Sequence, residues 1–170
     1  MTQTMTWKYL FFSFDGRISR RQWWLAMGPL ILASLATSFL ANPMSWFSEL
    51  IAQRGPNLAE TLFNIALLIP ETAVTVKRFN DRNWPQWLPY GYAAVFLFYI
   101  VLDHSRLVMA SSVPTFFELA FISAVASIML IVLIDNGFLR GTAGPNPYGP
   151  DPLADDGGGN LGSASGHDRL

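Results

Sequence analysis

Phe14-Asp15-Gly16-Arg17-Ile18-Ser19-Arg20-Arg21-Gln22-Trp23-Trp24 decides how the rest of the chain is read. Three arginines stand against a long uncharged run, with two tryptophans at the join. Asp15-Gly16 reads as a turn, because Gly tolerates positive φ and Asp can bond the backbone that follows. Ser19 suits a helix N-cap, and Gln22 at N3 completes a capping box. Ile18 and Trp23 have the spacing of a hydrophobic staple. A helix is thus told where to start, at a charged surface. The run from Gln22 to Ala41 contains no charged residue, and roughly 20 such residues cross a bilayer. The surface is therefore a membrane surface.

Working outward, further apolar runs of spanning length lie at about 58–76, 84–102 and 116–134, after the first at 22–41. The expected fold is an all-α integral membrane protein with four transmembrane helices, short interfacial helices and a Pro/Gly-rich C-terminal segment. Only 14% of the residues are charged and 51% are hydrophobic, whereas a soluble domain carries about 25% charged residues. The first run is too long for a signal peptide and no A-x-A site follows it. Lys8, Arg17, Arg20, Arg21, Lys77, Arg78, Arg82, Arg140 and Arg169 fall on one side of this topology, and only Arg54 and Arg106 on the other. Loops rich in Lys and Arg stay inside, so both termini are expected in the cytoplasm. The division is 1–21, a cytoplasmic interfacial segment; 22–140, the transmembrane domain; 141–153, a Pro/Gly-rich cytoplasmic motif; and 154–170, a disordered tail.

Several local features follow. The aromatic residues of 1–14 place that segment at the interface or under the bundle. Pro29 in the first span predicts a kink. Ser34/Ser38, Ala120/Ala124 and Ser123/Ser127 offer small faces for close helix contact. In the loop 42–57, Asn42, Pro43 and the apolar spacing of Trp46, Phe47, Leu50 and Ile51 predict a short interfacial helix. Asn57/Glu60, Asn83/Gln86 and Thr115/Glu118 each have cap-to-N3 spacing. Trp84, Trp87, Tyr90 and Tyr92 form an aromatic belt. The prolines of 141–152 exclude a helix and leave turns and polyproline-like steps that can dock on a surface.

Catalysis finds little support. The chain has no Cys, and His104 and His167 stand apart, so no metal site or cofactor is expected. No nucleophile–base–acid set or phosphate-cradling loop is present. Basic residues are few and membrane-adjacent, which argues against nucleic acid. One acid is unexplained by capping. Glu71 lies about 9 Å along the helix axis from Lys77 at 1.5 Å per residue, and an acid facing lipid near the centre costs roughly 2.5–3.5 kcal/mol. Glu60, Asn64, Glu71, Thr75 and Arg78 form one polar stripe that should face the bundle interior. Glu71 is either protonated, bonded to hydroxyls or paired with Arg78, or it lines an ion path.

Three segments together resemble the domain of unknown function 805 family of small bacterial inner-membrane proteins. Phe14–Trp24 is similar to its F-x-G-R-x-x-R-x-x-[YW]-W opening, Val76-Lys77-Arg78-Phe79-Asn80-Asp81-Arg82 to its R-[LF]-[HN]-D loop, and Gly144–Pro152 to its G-x-N-x-Y-G-x-D-P close. The chain lacks the Gly-x-Ser-Gly insert before Trp84 and has Asn80 where His is commoner. The resemblance implies a fold class and a location, without an activity. In the expected topology all three motifs share the cytoplasmic face. Asp15, Gly16, Arg17, Arg20, Arg21, Arg78, Asp81, Arg82, Asn146, Tyr148 and Asp151 are therefore expected to form a cap, by Arg–carboxylate pairing or by binding an anion. The expected function is a non-enzymatic inner-membrane protein with a structural, partner-binding or anionic-lipid-binding cap, its expected partners being membrane lipids and either another membrane protein or further copies of the chain in a homo-oligomer. The alternative is a small transporter using Asn64, Glu71 and Thr75.

Overall fold

The computed structural model describes residues 6–41, 57–105, 107 and 115–154. Residues 42–56, where the interfacial helix is expected, and the tail from 155 onward lie outside the described residues. The described residues form five helices, in order α1 (Trp7–Phe12), α2 (Arg20–Ala41), α3 (Leu58–Asp81), α4 (Trp87–His104) and α5 (Phe116–Gly137). There is no strand among the described residues; one isolated bridge pairs Asn146 with Gly149.

α2, α3 and α5 are long and apolar enough to cross a membrane. α4, at 18 residues, is not among them. Its first turns carry Trp87, Pro89, Tyr90, Gly91 and Tyr92 and its last turn Asp103 and His104, so its apolar stretch is shorter than its helix. α3 is the central element, packing on α1, α2, α4 and α5. In its apolar window 44% of the residues are buried, against 11% in α2 and 6% in α5. Leu32, Leu40, Leu62, Phe98, Leu119 and Ile131 point outward. A water-soluble bundle would bury such residues, whereas lipid accepts them.

Local signals set the helix starts. Ser19 Oγ accepts from the Gln22 N–H at 3.4 Å while Gln22 Oε1 accepts from the Ser19 N–H at 2.8 Å. The staple residues Ile18 and Trp23 are 0% and 2% exposed, and they join Leu10, Ala26, Met27 and Val74 in the core. Asn57 caps α3 through the Glu60 N–H, and Thr115 with Glu118 makes a full capping box on α5. α2 continues as one helix through Pro29.

Three expectations are corrected. Asn83 does not cap α4. It adopts φ 58° and reverses the chain at the end of α3, where the N–H groups of Asn83 and Trp84 bond the carbonyls of Asn80 and Phe79 at 3.1 and 3.0 Å. This is a Schellman motif with Asn in the left-handed position. α4 then begins three residues later than expected, without a side-chain cap. Next, Val76–Asp81 is not a loop but the last turns of α3, so Lys77, Arg78 and Asp81 sit on a rigid helix. Lastly, Ala120, Ser123, Ala124 and Ser127 of α5 are exposed, and Ser127 bonds its own helix at Ser123 O. The expected small face at Ser34 does make contact, since its Oγ donates to Asn64 Oδ1 at 3.0 Å and ties α2 to α3.

Candidate functional site

Where α2 begins and α3 and α5 end, the chain builds a polar clasp. An unwinding helix leaves its last carbonyls without partners, and each must find a donor if water is excluded. At the end of α5 five consecutive carbonyls are met by side chains of α2 and α3. Asn136 O accepts from Arg78 Nε at 2.7 Å, Gly137 O from Trp24 Nε1 at 3.0 Å and Phe138 O from Arg20 at 3.3 Å. Leu139 O accepts from Arg78 and Arg140 O from Arg82. The end of α1 is closed in the same way, because Lys77 Nζ donates to Tyr9 O and Leu10 O, each at 2.9 Å, and to Ser13 O. The cations are therefore helix terminators, with positive charge at the negative ends of helix dipoles.

At the centre, Asp81 lies between two guanidinium groups. Arg17 approaches its Oδ1 at 2.9 Å, and Arg78 holds its Oδ2, with all three side chains almost fully buried. Two cations and one anion leave an excess positive charge, which strap carbonyls offset. Arg17 donates to Thr142 O at 2.7 Å, Gly144 O at 2.8 Å and Gly149 O at 3.1 Å. Such charge-assisted bonds use the fixed fork of a guanidinium, which Lys lacks. The strap, residues 138–154, is bound in turn to the end of α3. Thr142 donates through its N–H and hydroxyl to Asp81 O, Asn146 Nδ2 donates to Asn80 O, and Tyr148 OH donates to Trp84 O. Gly141 passes so close to the Asp81 carboxylate that a Cβ there would overlap it.

The expected cap residues divide into groups. Arg17, Arg78, Asp81, Asn146 and Tyr148 come together as expected. Arg82 also joins, although through Asp135 at 3.0 Å. Among the described residues Asp15 and Asp151 form no ion pair with an arginine. The exposed Asp15 accepts the Tyr9 hydroxyl on its backbone oxygen at 3.0 Å. Asp151 accepts the N–H groups of Gly144 and Leu153, both at 2.9 Å, and these bonds hold its carboxyl below the usual range. Among the described residues Arg20 reaches only Phe138 O, and Arg21 is exposed outside the clasp. In the polar stripe Asn64 is bonded to Ser34, Glu71 is half-buried and Thr75 is fully buried. Arg78 is committed to the clasp, so it is not the partner of Glu71. Asp135, Thr142 and the terminating role of Lys77 were missed, and only Asp135-Asn136, a polar break ending an apolar run, carried a signal for them.

Gly16 stands at φ 88° beneath the Tyr9 hydroxyl, in space that a Cβ would need. Burial and Asp15 raise the pKa of that phenol, and its ring lies 5.1 Å from Lys77 Nζ. Gly16→Ala is expected to cost about 1–3 kcal/mol for the left-handed backbone alone. It should also displace Tyr9, seen as a lower Tm in detergent and a more accessible phenol. An unchanged Tm would contradict the assignment of this turn.

The sequence matches the family described as "Protein of unknown function (DUF805)" over residues 11–150. Among similar proteins are those named "Uncharacterized protein YiiR" from Escherichia coli strain K12 and from E. coli O157:H7. Each is 31% identical over 153 residues, covering 86% of this chain and 90% of its own. No solved structure matches the chain. Since the family match spans the clasp from Arg17 to Gly149, the chain belongs to the DUF805 family.

Proposed function

We propose that this chain is a non-enzymatic, four-span inner-membrane protein whose clasp lies in the cytoplasm and holds the helix ends in register. The observation that carries this reading is the fate of the basic residues. Arg17, Lys77 and Arg78 are buried and direct their donors to the chain's own carbonyls and to Asp81. Side chains so occupied hold the fold together and offer no open site for turnover. α4 supplies the fourth span, its polar ends lying at the two headgroup layers. With four spans, the basic clasp stands on the side favoured by the positive-inside bias. The face left for recognition consists of Arg20, Arg21 and Arg140, which are exposed; anionic lipid is their partner.

The absence of Cys makes the topology directly testable. Single substitutions Lys8→Cys, Asn83→Cys, Ser105→Cys and Pro145→Cys are labelled in intact cells with an impermeant maleimide. Only Ser105→Cys should react before the inner membrane is permeabilised. Equal reactivity of Asn83→Cys and Ser105→Cys would remove α4 as a span. Labelling of Lys8→Cys or Pro145→Cys from outside would reverse the orientation.

A further inference from the structure

Two depressions meet at Arg20. One, of about 160 Å³, borders the buried Arg78 and Asp81 and is lined by Ser19, Arg20, Arg140, Gly141 and Leu153. The other, of about 450 Å³, runs along the outer face of α2 and the end of α5, with Arg20 and Arg21 above Trp24, Leu25 and Phe138. Leu25 and Phe138 are 64% and 61% exposed, and the rings of Trp24 and Phe138 meet edge-on at 5.8 Å. Positive charge predominates here. Asp81, the carboxylate lining the first depression, is ion-paired to Arg17 and Arg78, Asp135 is paired with Arg82, and Asp151, whose carboxylate feels the charge of Arg140, already accepts the N–H groups of Gly144 and Leu153. The guanidinium of Arg20 reaches one carbonyl, while Arg21 and Arg140 stand at the surface.

We infer that this composite surface binds one anionic phospholipid, its phosphodiester between Arg20 and Arg140 and its glycerol and acyl chains along Trp24, Leu25 and Phe138. The charge complementarity selects an anion. The adjoining apolar groove selects a lipid over a free phosphate, since an inorganic ion would leave Leu25 and Phe138 uncovered. Arg20, common to both depressions, is the hinge between head and tail. The inference rests on the membrane reading above and localises its lipid contact to particular residues.

The test uses the full-length protein in nanodiscs of phosphatidylcholine, into which phosphatidylglycerol is titrated, with retained lipid counted by native mass spectrometry. Each juxtamembrane arginine contributes roughly 1 kcal/mol toward anionic lipid. The double variant Arg20→Gln/Arg140→Gln should therefore bind phosphatidylglycerol about thirtyfold more weakly, about 2 kcal/mol. Arg20→Lys/Arg140→Lys should retain most of the binding. Arg140→Gln alone, whose exposed side chain makes no hydrogen bond among the described residues and acts on Asp151 only through space, should fold normally and still bind more weakly than the parent. Equal retention of phosphatidylglycerol by parent and Arg140→Gln would overturn the site, as would full competition by inorganic phosphate at equal concentration. Maleimide topology and Tm in phosphatidylcholine alone report separately on the membrane reading, so loss of either without loss of lipid selectivity would separate the two failures.

Discussion

Asp81→Ala is expected to destabilise the folded protein by about 3–5 kcal/mol, because it removes the anion shared by two buried guanidinium groups. Arg17 and Arg78 would remain in place, each nearly fully buried, with only carbonyls to offset their charge. Asp81→Asn preserves shape and one acceptor, so its effect should be smaller than that of Ala and still clear. The measurement is thermal or denaturant unfolding in detergent, with circular dichroism as the readout. If Asp81→Ala unfolds within about 1 kcal/mol of the parent, the triad does not hold the helix ends. Replacing the triad by well-packed apolar groups is a separate matter and can be neutral or stabilising. A single truncation is therefore the informative change.

Lys77→Met is expected to release α1. The variant keeps an unbranched stem of similar length but leaves the carbonyls of Tyr9, Leu10 and Ser13 without their common donor. Each buried acceptor left unsatisfied costs about 1–3 kcal/mol. Water can reach part of this site, so the total should be on the order of 3 kcal/mol. The effect is regional, which distinguishes it from the first. Hydrogen exchange should rise across residues 7–12 while the interiors of α2, α3 and α5 stay protected. Uniform loss of protection through all the helices would contradict a role confined to docking α1.

The features that a sequence exposes most readily here are local ones. Ser19–Gln22, Asn57–Glu60 and Thr115–Glu118 are caps formed within a single turn, and each side chain bonds as its spacing implies. Asn83 was ambiguous for a physical reason, because Asn suits both an N-cap and a left-handed C-terminal position. The choice between them depends on Trp84 reaching back to Phe79 O, and spacing does not encode that contact. Arg–carboxylate pairing does not extend to Asp151, because its own loop offers two nearer N–H donors. Arg82 and Asp135 come from different helices, 53 positions apart, and only tertiary packing pairs them. The arginines were legible as a cluster, but their role as terminators of other helices was not. That role belongs to the carbonyls of distant segments, which carry no side-chain signature.

Arg17 finds its strap partners 125 to 132 positions further along the chain. On the ribosome, its guanidinium therefore enters the cell long before those carbonyls exist. Until Thr142 and Gly149 have been synthesised, the same cation that ends up sealed in the finished protein is available to the insertion machinery as an exposed charge. Closure of the clasp is thus a late event in synthesis, since its strap carbonyls follow α1 to α5 in the chain. A product that stops before the strap would keep that charge open, and with it a mark by which an unfinished molecule differs from a finished one.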